Sequence, residues 1–366
     1  MTATDAKLTV IKMGKKLLHT GLTIRTWGNV SVRIDNDNFA ITPSGCGYEN
    51  LKPDNIVLLN INTPDLFGSV KPSSERLLHA EIYKKKSSIR FIIHTHQKFA
   101  SAAAGCLNSI PVKDNKAKRL LKNFIPCAEY APSGSKELAF NVAECLGNEG
   151  AVLMPYHGAV CVGETLKEAF LRAQTLENIC RNFIFSELPE FAEFYTNFPN
   201  DYKEKHLDNS FPISKRSDTI KPLIYQKIYD SYPEINFIEP SDLPASAYLL
   251  KKNNVKNFID KEKLIPAFLE DFAQIAGENI FSISYKDMGK NTAKYLQSRN
   301  ALLIENKALL CCVSDYDDMI ALKEICEKNF TAFFLSKKFK TYSPLEANYV
   351  KELRKGYIND YSKRGM

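Results

Sequence analysis

The sequence predicts an α/β protein in which helices cover a central mixed, mostly antiparallel sheet, followed by a degenerate partial repeat of the same architecture. One observation is that helical and β patterns alternate, while several neighbouring strands are joined by links too short to contain crossover helices. The other is an internal repeat, in which the later part of the chain resembles an earlier part.

The composition is that of an ordinary globular protein. The chain has 366 residues, of which 44% are hydrophobic and 25% are charged, and this excludes collagen-like, low-complexity and wholly disordered proteins. No apolar run reaches the roughly 18 residues of a membrane span, and the polar, mixed first residues predict no secretory leader. The nine cysteines contain no CxxC pair, so we expect reduced thiols in a cytoplasmic protein.

The charge pattern bears on possible partners. The formal net charge is +7, and the basic residues form short scattered clusters. Such a chain is compatible with nucleic acid or with a small phosphorylated substrate. Because no interleaved aromatic and basic motif is present, we expect no nucleic-acid partner, and we expect no membrane partner either.

The elements of the first half follow from periodicity and from turn residues. Thr4 or Asp5 can cap the first helix, and Gly21 ends it. The predicted helices are 4–18, 73–86, 135–146 and 165–187. The predicted strands are 29–33, 39–42, 56–61, 89–96, 151–156 and 159–162.

The repeat divides the chain into domains. Residues 135–187 align on 285–337 without a gap at an offset of 150, and upstream residues align at an offset of 146. We therefore predict a catalytic domain at 1–198, a polar, turn-forming linker at 199–217, and a degenerate repeat at 218–366. No counterpart to residues 1–70 is expected in the repeat. The alternative is an unrelated helical domain.

Three histidines form a candidate metal site. His94 and His96 end a predicted strand, and residues two apart in a strand point to the same face. His157 lies at the turn between two apolar strands. Three imidazoles with an open position are typical of a catalytic Zn²⁺ site. The alternative is that these are strand-end histidines paired with backbone groups.

A second group of residues suits an anion. Ser73 and Ser74 open a predicted helix, where hydroxyls and free N–H groups can bind phosphate. Glu75 follows them and could transfer protons. Tight turns near Asn29 and at Ser44–Gly45 could bring more backbone close to an anion. An ordinary capped helix is the alternative.

Taken together, these motifs resemble one family. Their order is GNVS (28–31), ITPSG (41–45), SSE (73–75), HTH (94–96), IPCAEYAPSGSKEL (125–138) and HGAVCVG (157–163). This order resembles the class II aldolase/adducin family over residues 5–190. That family includes L-fuculose-1-phosphate aldolase and L-ribulose-5-phosphate 4-epimerase, and the 125–138 motif is closest to the fuculose phosphate aldolase.

The resemblance implies an activity and a set of roles. It implies metal-dependent retro-aldol cleavage of a phosphorylated ketose through a zinc-stabilised enediolate, carried out by a homo-oligomer. It implies Zn²⁺ or another divalent metal on His94, His96 and His157, and Glu75 as the acid/base. Asn29, Ser44, Gly45, Ser73 and Ser74 would bind the substrate phosphate. A sugar-phosphate 4-epimerase and a non-catalytic adducin-like assembly module remain the alternatives.

The sequence also departs from the family. The loop 108–124 lacks the tyrosine that the family's aldolases carry there, which leaves the sugar open. In the repeat, the positions of His94, His96 and His157 are occupied by Pro240, Asp242 and Lys307. We therefore expect no metal site there. His79, one helical turn after Glu75, is expected to pack or to support the site from behind.

Overall fold

The chain divides into two compact units. The computed structural model describes residues 1–24, 27–199, 211–251, 254, 258, 264–287 and 292–361. The first unit contains Met1–Phe183 together with residues 360–361, and the second contains Ile184–Asn359. The boundary therefore lies inside a long helix, before the linker expected at 199–217. Residues 200–210 of that linker lie outside the described part of the chain.

The first unit carries the elements expected from the sequence, together with short ones that the sequence did not indicate. Its helices are α1 (Ala3–His19), α2 (Arg76–Lys85), α3 (Lys98–Ala103), α4 (Asn115–Leu121), α5 (Lys136–Leu146) and the start of α6 (Leu166–Glu187). Its strands are β1 (Asn29–Arg33), β2 (Asn38–Ile41), β3 (Val57–Asn60), β4 (Phe91–Thr95), β5 (Ser109–Pro111), β6 (Phe124–Pro126), β7 (Ala151–Met154) and β8 (Gly158–Gly163).

The main sheet of this unit has the order β3-β2-β1-β4-β8-β7, with every neighbouring pair antiparallel. One face is covered by α2 and α5, whose apolar side chains pack on β4, β7 and β8 around residues such as Ile92 and Val160. β5 and β6 form a separate antiparallel pair. The central strand β4 therefore carries an apolar core row and His94, and His96 follows it directly.

The second unit contains the end of α6 and its own set of elements. Its helices are α7 (Pro189–Thr196), α8 (Leu223–Ser231), α9 (Pro244–Leu250), α10 (Glu270–Ile275), α11 (Thr292–Leu296), α12 (Tyr316–Lys338) and α13 (Ala347–Gly356). Its strands are β9 (Ser214–Lys215), β10 (Phe237–Pro240), β11 (Leu264–Pro266), β12 (Asn279–Ile283), β13 (Ala301–Ile304) and β14 (Ala308–Val313).

These strands form a second sheet with the order β11-β12-β13-β14-β10-β9. β12 and β13 are parallel, and the other pairs are antiparallel. The prediction of helices covering a mixed, mostly antiparallel sheet is confirmed. No helix in the described ranges is both long and apolar enough to cross a membrane.

The two sheets share strand registers at the offsets found in the sequence. Phe91 pairs with Gly163 in the first sheet and Phe237 with Val313 in the second, at offsets of 146 and 150. The β7–β8 hairpin and the β13–β14 hairpin also match, pair by pair, at an offset of 150. Side-chain roles repeat as well: the Glu177 carboxylate accepts the first N–H groups of α3, and the Glu327 carboxylate accepts those of α9.

An arginine has equivalent neighbours in both units. The Arg33 guanidinium, at the end of β1, donates to the carbonyls of Tyr83, Lys86 and Ile89 and lies over the Tyr83 ring. Arg216, just after β9, donates to the carbonyls of Tyr229, Tyr232 and Ile235 and lies over the Tyr229 ring.

This pairing corrects one expectation from the sequence. The second unit does contain a short counterpart of residues 1–70, because β9 and Arg216 occupy the place of the end of β1. The match is only a few residues long, which is why it escaped detection in the sequence. It lies within the segment predicted as linker.

The start of α2 also differs from its prediction. The helix begins at Arg76, not at Ser73. The Glu75 N–H donates to Ser73 Oγ and the Arg76 N–H donates to the Ser73 carbonyl, so these residues form a turn. Glu75 becomes the N-cap residue, and its side chain is free to reach the site.

We predict that Arg33→Ala will destabilise the first unit by about 2–4 kcal/mol, because buried carbonyls would lose their donors. Thermal and denaturant unfolding would measure the loss. Arg181→Ala, on an exposed position of α6, is the control and should change stability little. Equal stability of the two variants would contradict the capping role.

Candidate metal centre

Three histidines meet where β4 ends beside the β7–β8 turn. His94 lies in β4, and His96 follows that strand directly. His94 pairs with Val160 and Thr95 pairs with Ala159, which brings the turn containing His157 alongside the end of β4. All three side chains are buried. The structure thus brings together the three residues that the sequence predicted as ligands.

The three Nε2 atoms converge on one point. His94 Nε2 is 3.0 Å from His96 Nε2 and 3.2 Å from His157 Nε2. All three ligand atoms lie within 4.8 Å of one another, and in the described residues this is the one cluster of three or more side chains able to hold a metal ion. Tetrahedral Zn²⁺ with ligand nitrogens at about 2.1 Å requires nitrogen separations of about 3.4 Å, which is close to the two short distances.

The hydrogen bonds of His94 favour a cation. Its Nδ1 is 3.0 Å from the Ala159 carbonyl, which accepts a proton and does not donate one. Nδ1 therefore carries the proton, and the Nε2 lone pair points at the other imidazoles. Buried lone pairs facing one another repel unless a positive charge lies between them. The donor set thus fits a divalent cation.

The Glu75 carboxylate borders the same point. Its Oε2 is 2.9 Å from His94 Nε2, and its Oε1 is 3.2 Å from His157 Nε2. Burial by itself raises the pKa of this carboxyl, but protonated rings at the neighbouring His94 and His157 hold the pKa well below its ordinary value. Within the described residues, Oε1 has no hydrogen-bond donor besides the nearby His157 ring. A cation held by the imidazoles, or a substrate, could contact that oxygen.

Two glycines allow the backbones to come close enough. A Cβ on Gly158, directly after His157, would lie 2.3 Å from the Thr95 carbonyl oxygen. A Cβ on Gly28 would lie 2.6 Å from the His94 carbonyl oxygen, and Gly28 has a φ of +98°. Larger residues here would push β1 and β8 away from β4. The spacing of the imidazoles depends on both contacts.

The predicted phosphate residues form two neighbouring turns. A bridge between Pro43 and Pro72 places the turn of Ser44 and Gly45 next to Ser73 and Ser74. The backbone N–H of Ser44 donates to the Lys71 carbonyl, so that group is already used. The Ser73 hydroxyl oxygen accepts from the Glu75 N–H and keeps its own proton for a ligand.

Asn29 lies directly against the centre. It pairs with His94 across β1 and β4, and its Nδ2 donates to Glu75 Oε2 over 3.2 Å. The amide carries a second proton that a ligand could accept. Its hydrogen bond to Glu75 was not expected from the sequence, because the two residues are far apart along the chain.

His79 lies behind Asn29, in the supporting position that the sequence indicated. This fully buried side chain contacts Asn29, and the spacing of one helical turn from Glu75 was the available clue.

Tyr156, the residue before His157, has a φ of +63°, and its ring lies edge-on to that of Tyr130. The sequence assigned neither tyrosine a role, and their contacts alone assign none.

Comparison with known proteins places this geometry in a family. A family model described as the class II aldolase and adducin N-terminal domain matches residues 9–184. An L-fuculose phosphate aldolase from Methanococcus maripaludis is 32% identical over 179 residues, which cover 49% of this chain and 96% of the relative. A 5-deoxy-D-ribulose 1-phosphate aldolase from Bacillus thuringiensis serovar kurstaki is 33% identical, covering 46% of this chain and 79% of that one.

A solved structure of an L-fuculose 1-phosphate aldolase is 34% identical, with a TM-score of 0.48 over 51% of this chain and 88% of that chain. The fuculose phosphate aldolase of M. maripaludis is matched over nearly its whole length. The chain therefore belongs to the class II aldolase/adducin family.

Proposed function

We propose that the first unit is a metal-dependent aldehyde-lyase that cleaves a phosphorylated ketose, in the manner of L-fuculose-1-phosphate aldolase. The observation that carries the proposal is the convergence of three imidazole nitrogens beside a buried carboxylate. The named activities of the relatives point to ketose 1-phosphates as the substrate class.

His94, His96 and His157 would hold the metal, and we propose Zn²⁺ because three neutral imidazoles with an open position suit that ion. When bound, the ion supplies Lewis-acid stabilisation of the negative charge that develops on the substrate oxygens as the C3–C4 bond breaks. The neutral imidazoles leave the ion its full positive charge. The burial of the site strengthens this interaction.

Glu75 would move the proton on carbon. Cleavage removes a proton from the C4 hydroxyl, releases an aldehyde and leaves an electron pair on C3, which must then be protonated. The Glu75 carboxylate borders the three imidazoles, with its Oε1 3.2 Å from His157 Nε2. We therefore assign both transfers to Glu75: its carboxylate accepts the C4 hydroxyl proton as the bond breaks and then delivers that proton to C3, and the reverse direction runs the same steps backwards.

Ser44, Gly45, Ser73, Ser74 and Asn29 would bind the phosphate. The two turns that contain the first four lie next to each other, and the turn of Ser73 and Ser74 leads directly into Glu75. A phosphate held there would fix the distance between the reacting carbons and the carboxylate.

For the second unit we propose a degenerate copy that keeps the fold and binds no metal. The matched registers and the Arg33 and Arg216 contacts support this interpretation. The position of His157 carries Lys307, whose ammonium lies 5.5 Å from the centre of the Tyr285 ring. The position of His96 carries Asp242, whose carboxylate is 3.1 Å from Lys323 Nζ.

The proposed activity is tested by metal analysis combined with a screen of ketose 1- and 5-phosphates. We expect about one divalent ion per chain and release of dihydroxyacetone phosphate plus an aldehyde from a 1-phosphate. An isomerised product with an unchanged number of carbons would indicate an epimerase. A metal-free protein without turnover would favour an adducin-like assembly module.

We predict that His157→Ala will lower both metal content and turnover by more than about 100-fold, because the variant loses one of three ligands. The measurements are metal stoichiometry and initial rate. Lys307→Ala, at the corresponding position of the second unit, is the matched control and should leave both unchanged. Retention of metal and activity by His157→Ala would refute the ligand assignment.

We predict that Glu75→Gln will keep near-normal metal content while slowing cleavage and solvent proton exchange by about 100- to 10,000-fold. The amide preserves size but cannot accept the proton. Exchange is followed by NMR on dihydroxyacetone phosphate in deuterated water. Exchange at the wild-type rate would remove Glu75 from the mechanism.

A further inference from the structure

A chain of buried polar side chains leads away from Glu75. Asn29 Nδ2 donates to Glu75 Oε2, and Asn29 Oδ1 lies 2.5 Å from His79 Nε2. His79 Nδ1 is 2.6 Å from Ser31 Oγ. That hydroxyl in turn lies 2.8 Å from the Tyr83 hydroxyl. The carboxylate is therefore connected through one amide to an imidazole that does not itself touch it.

The protons of this network have one consistent arrangement when Glu75 is ionised. A carboxylate needs a donor, so the Asn29 amide must turn its NH₂ group toward Glu75 and its oxygen toward His79. His79 must then carry its proton on Nε2 and accept at Nδ1 from the Ser31 hydroxyl. The Tyr83 hydroxyl donates to Ser31. The opposite tautomer would place the Asn29 oxygen against the carboxylate.

His79 is suited to remain neutral. Burial and the nearby His94 lower the pKa of His79 to about 3, against a smaller opposing effect of Glu75. A neutral imidazole has one donor and one acceptor, which are the two roles that the network requires of it.

The second unit shows which part of the network the fold itself needs. Ser214, Arg216 and Tyr229 stand where Ser31, Arg33 and Tyr83 do: Arg216 lies over the Tyr229 ring, and the Tyr229 hydroxyl donates to the Ser214 carbonyl over 2.8 Å, with Ser214 Oγ 3.5 Å away. The second unit therefore keeps this serine, arginine and tyrosine, although its described residues contain no cluster able to hold a metal ion.

His79 is absent from that copy. At the offset of 146 its position is taken by Tyr225, whose buried hydroxyl has no hydrogen-bond partner in the described part of the chain. Ser214 pairs with Ile238 as Ser31 pairs with Ile92, so Pro212 takes the position of Asn29. At the offset of 146, Lys221 takes the position of Glu75. The histidine is therefore present where Asn29 and Glu75 are present, and it is missing where they are missing.

We propose that His79 is a positioning residue for the reaction: by donating to Asn29 Oδ1, it fixes the amide that holds Glu75 Oε2 and so leaves Oε1 directed at the reacting carbon. This proposal rests on the proposed function. It also explains why a histidine is buried at a position where folding is satisfied with another aromatic residue.

The test compares His79→Leu with His79→Gln. The leucine removes both hydrogen bonds, whereas the glutamine amide can still donate to Asn29. We expect His79→Leu to lower kcat and the solvent exchange rate by about 10- to 100-fold with KM and metal content within twofold, and His79→Gln to restore most of the loss. Tyr225→Phe is the matched control in the second unit and should keep full activity.

Two further readouts separate positioning from structure. In an Asn29→Ala background, His79→Leu should cost no additional activity, because the imidazole acts through that amide. Nitrogen-15 NMR of the wild-type protein should show the Nε2–H tautomer for His79.

The outcomes distinguish the two proposals. Wild-type kcat and exchange in His79→Leu, an Nδ1–H tautomer, or equal losses in the Gln and Leu variants that follow their melting temperatures would each overturn the positioning role. An inactive wild-type protein on all ketose phosphates would overturn the proposed function, on which the role depends.

Discussion

The candidate metal site of the first unit depends on the electrostatic interaction between a buried carboxylate and three imidazoles. Glu75 lies against His94 and His157, neither of which carries a permanent positive charge. In the second unit, by contrast, the buried carboxylates of Glu239 and Asp271 pair with Lys323 and Lys328. A buried charge is costly unless a counter-charge is supplied. In the first unit the protein supplies lone pairs around that carboxylate, and this arrangement suits an external divalent cation.

The backbone brings the imidazoles and the carboxylate close together. β1 and β8 flank β4, and each approaches it closely at a glycine, Gly28 or Gly158, where a Cβ would collide with a β4 carbonyl. The Glu75 carboxylate is positioned by the start of a helix. The turn at Ser73 prevents α2 from starting earlier, so that Glu75 is its N-cap residue. The site is therefore assembled from a strand end, a hairpin and a helix start, each with its own local cause.

Much of this could be predicted from the sequence, because its determinants are local. The HTH pattern defines one face of a strand, and the His157–Gly158 pair follows a β-strand. The turn before α2 was missed because a serine before a helix predicts a cap, whereas here the Ser73 hydroxyl closes a turn. The hydrogen-bond partners of His79 and Arg216 were missed for another reason. Their partners lie on other elements, and a contact between a helix and a strand leaves no periodic pattern in the sequence.

The degenerate copy that we propose for the second unit separates folding from chemistry in this architecture. Both units keep a carboxylate that accepts helix N–H groups and an arginine that caps three carbonyls, since unpaired backbone groups would cost stability in either sheet. The second unit lacks the three imidazoles, Asn29, Glu75 and His79 together. A histidine needed only for packing would be expected to remain where the metal ligands are absent. A histidine that orients the carboxylate is not needed where the carboxylate is absent. The absence of all these side chains from the second unit is therefore what we expect if they act together in one site.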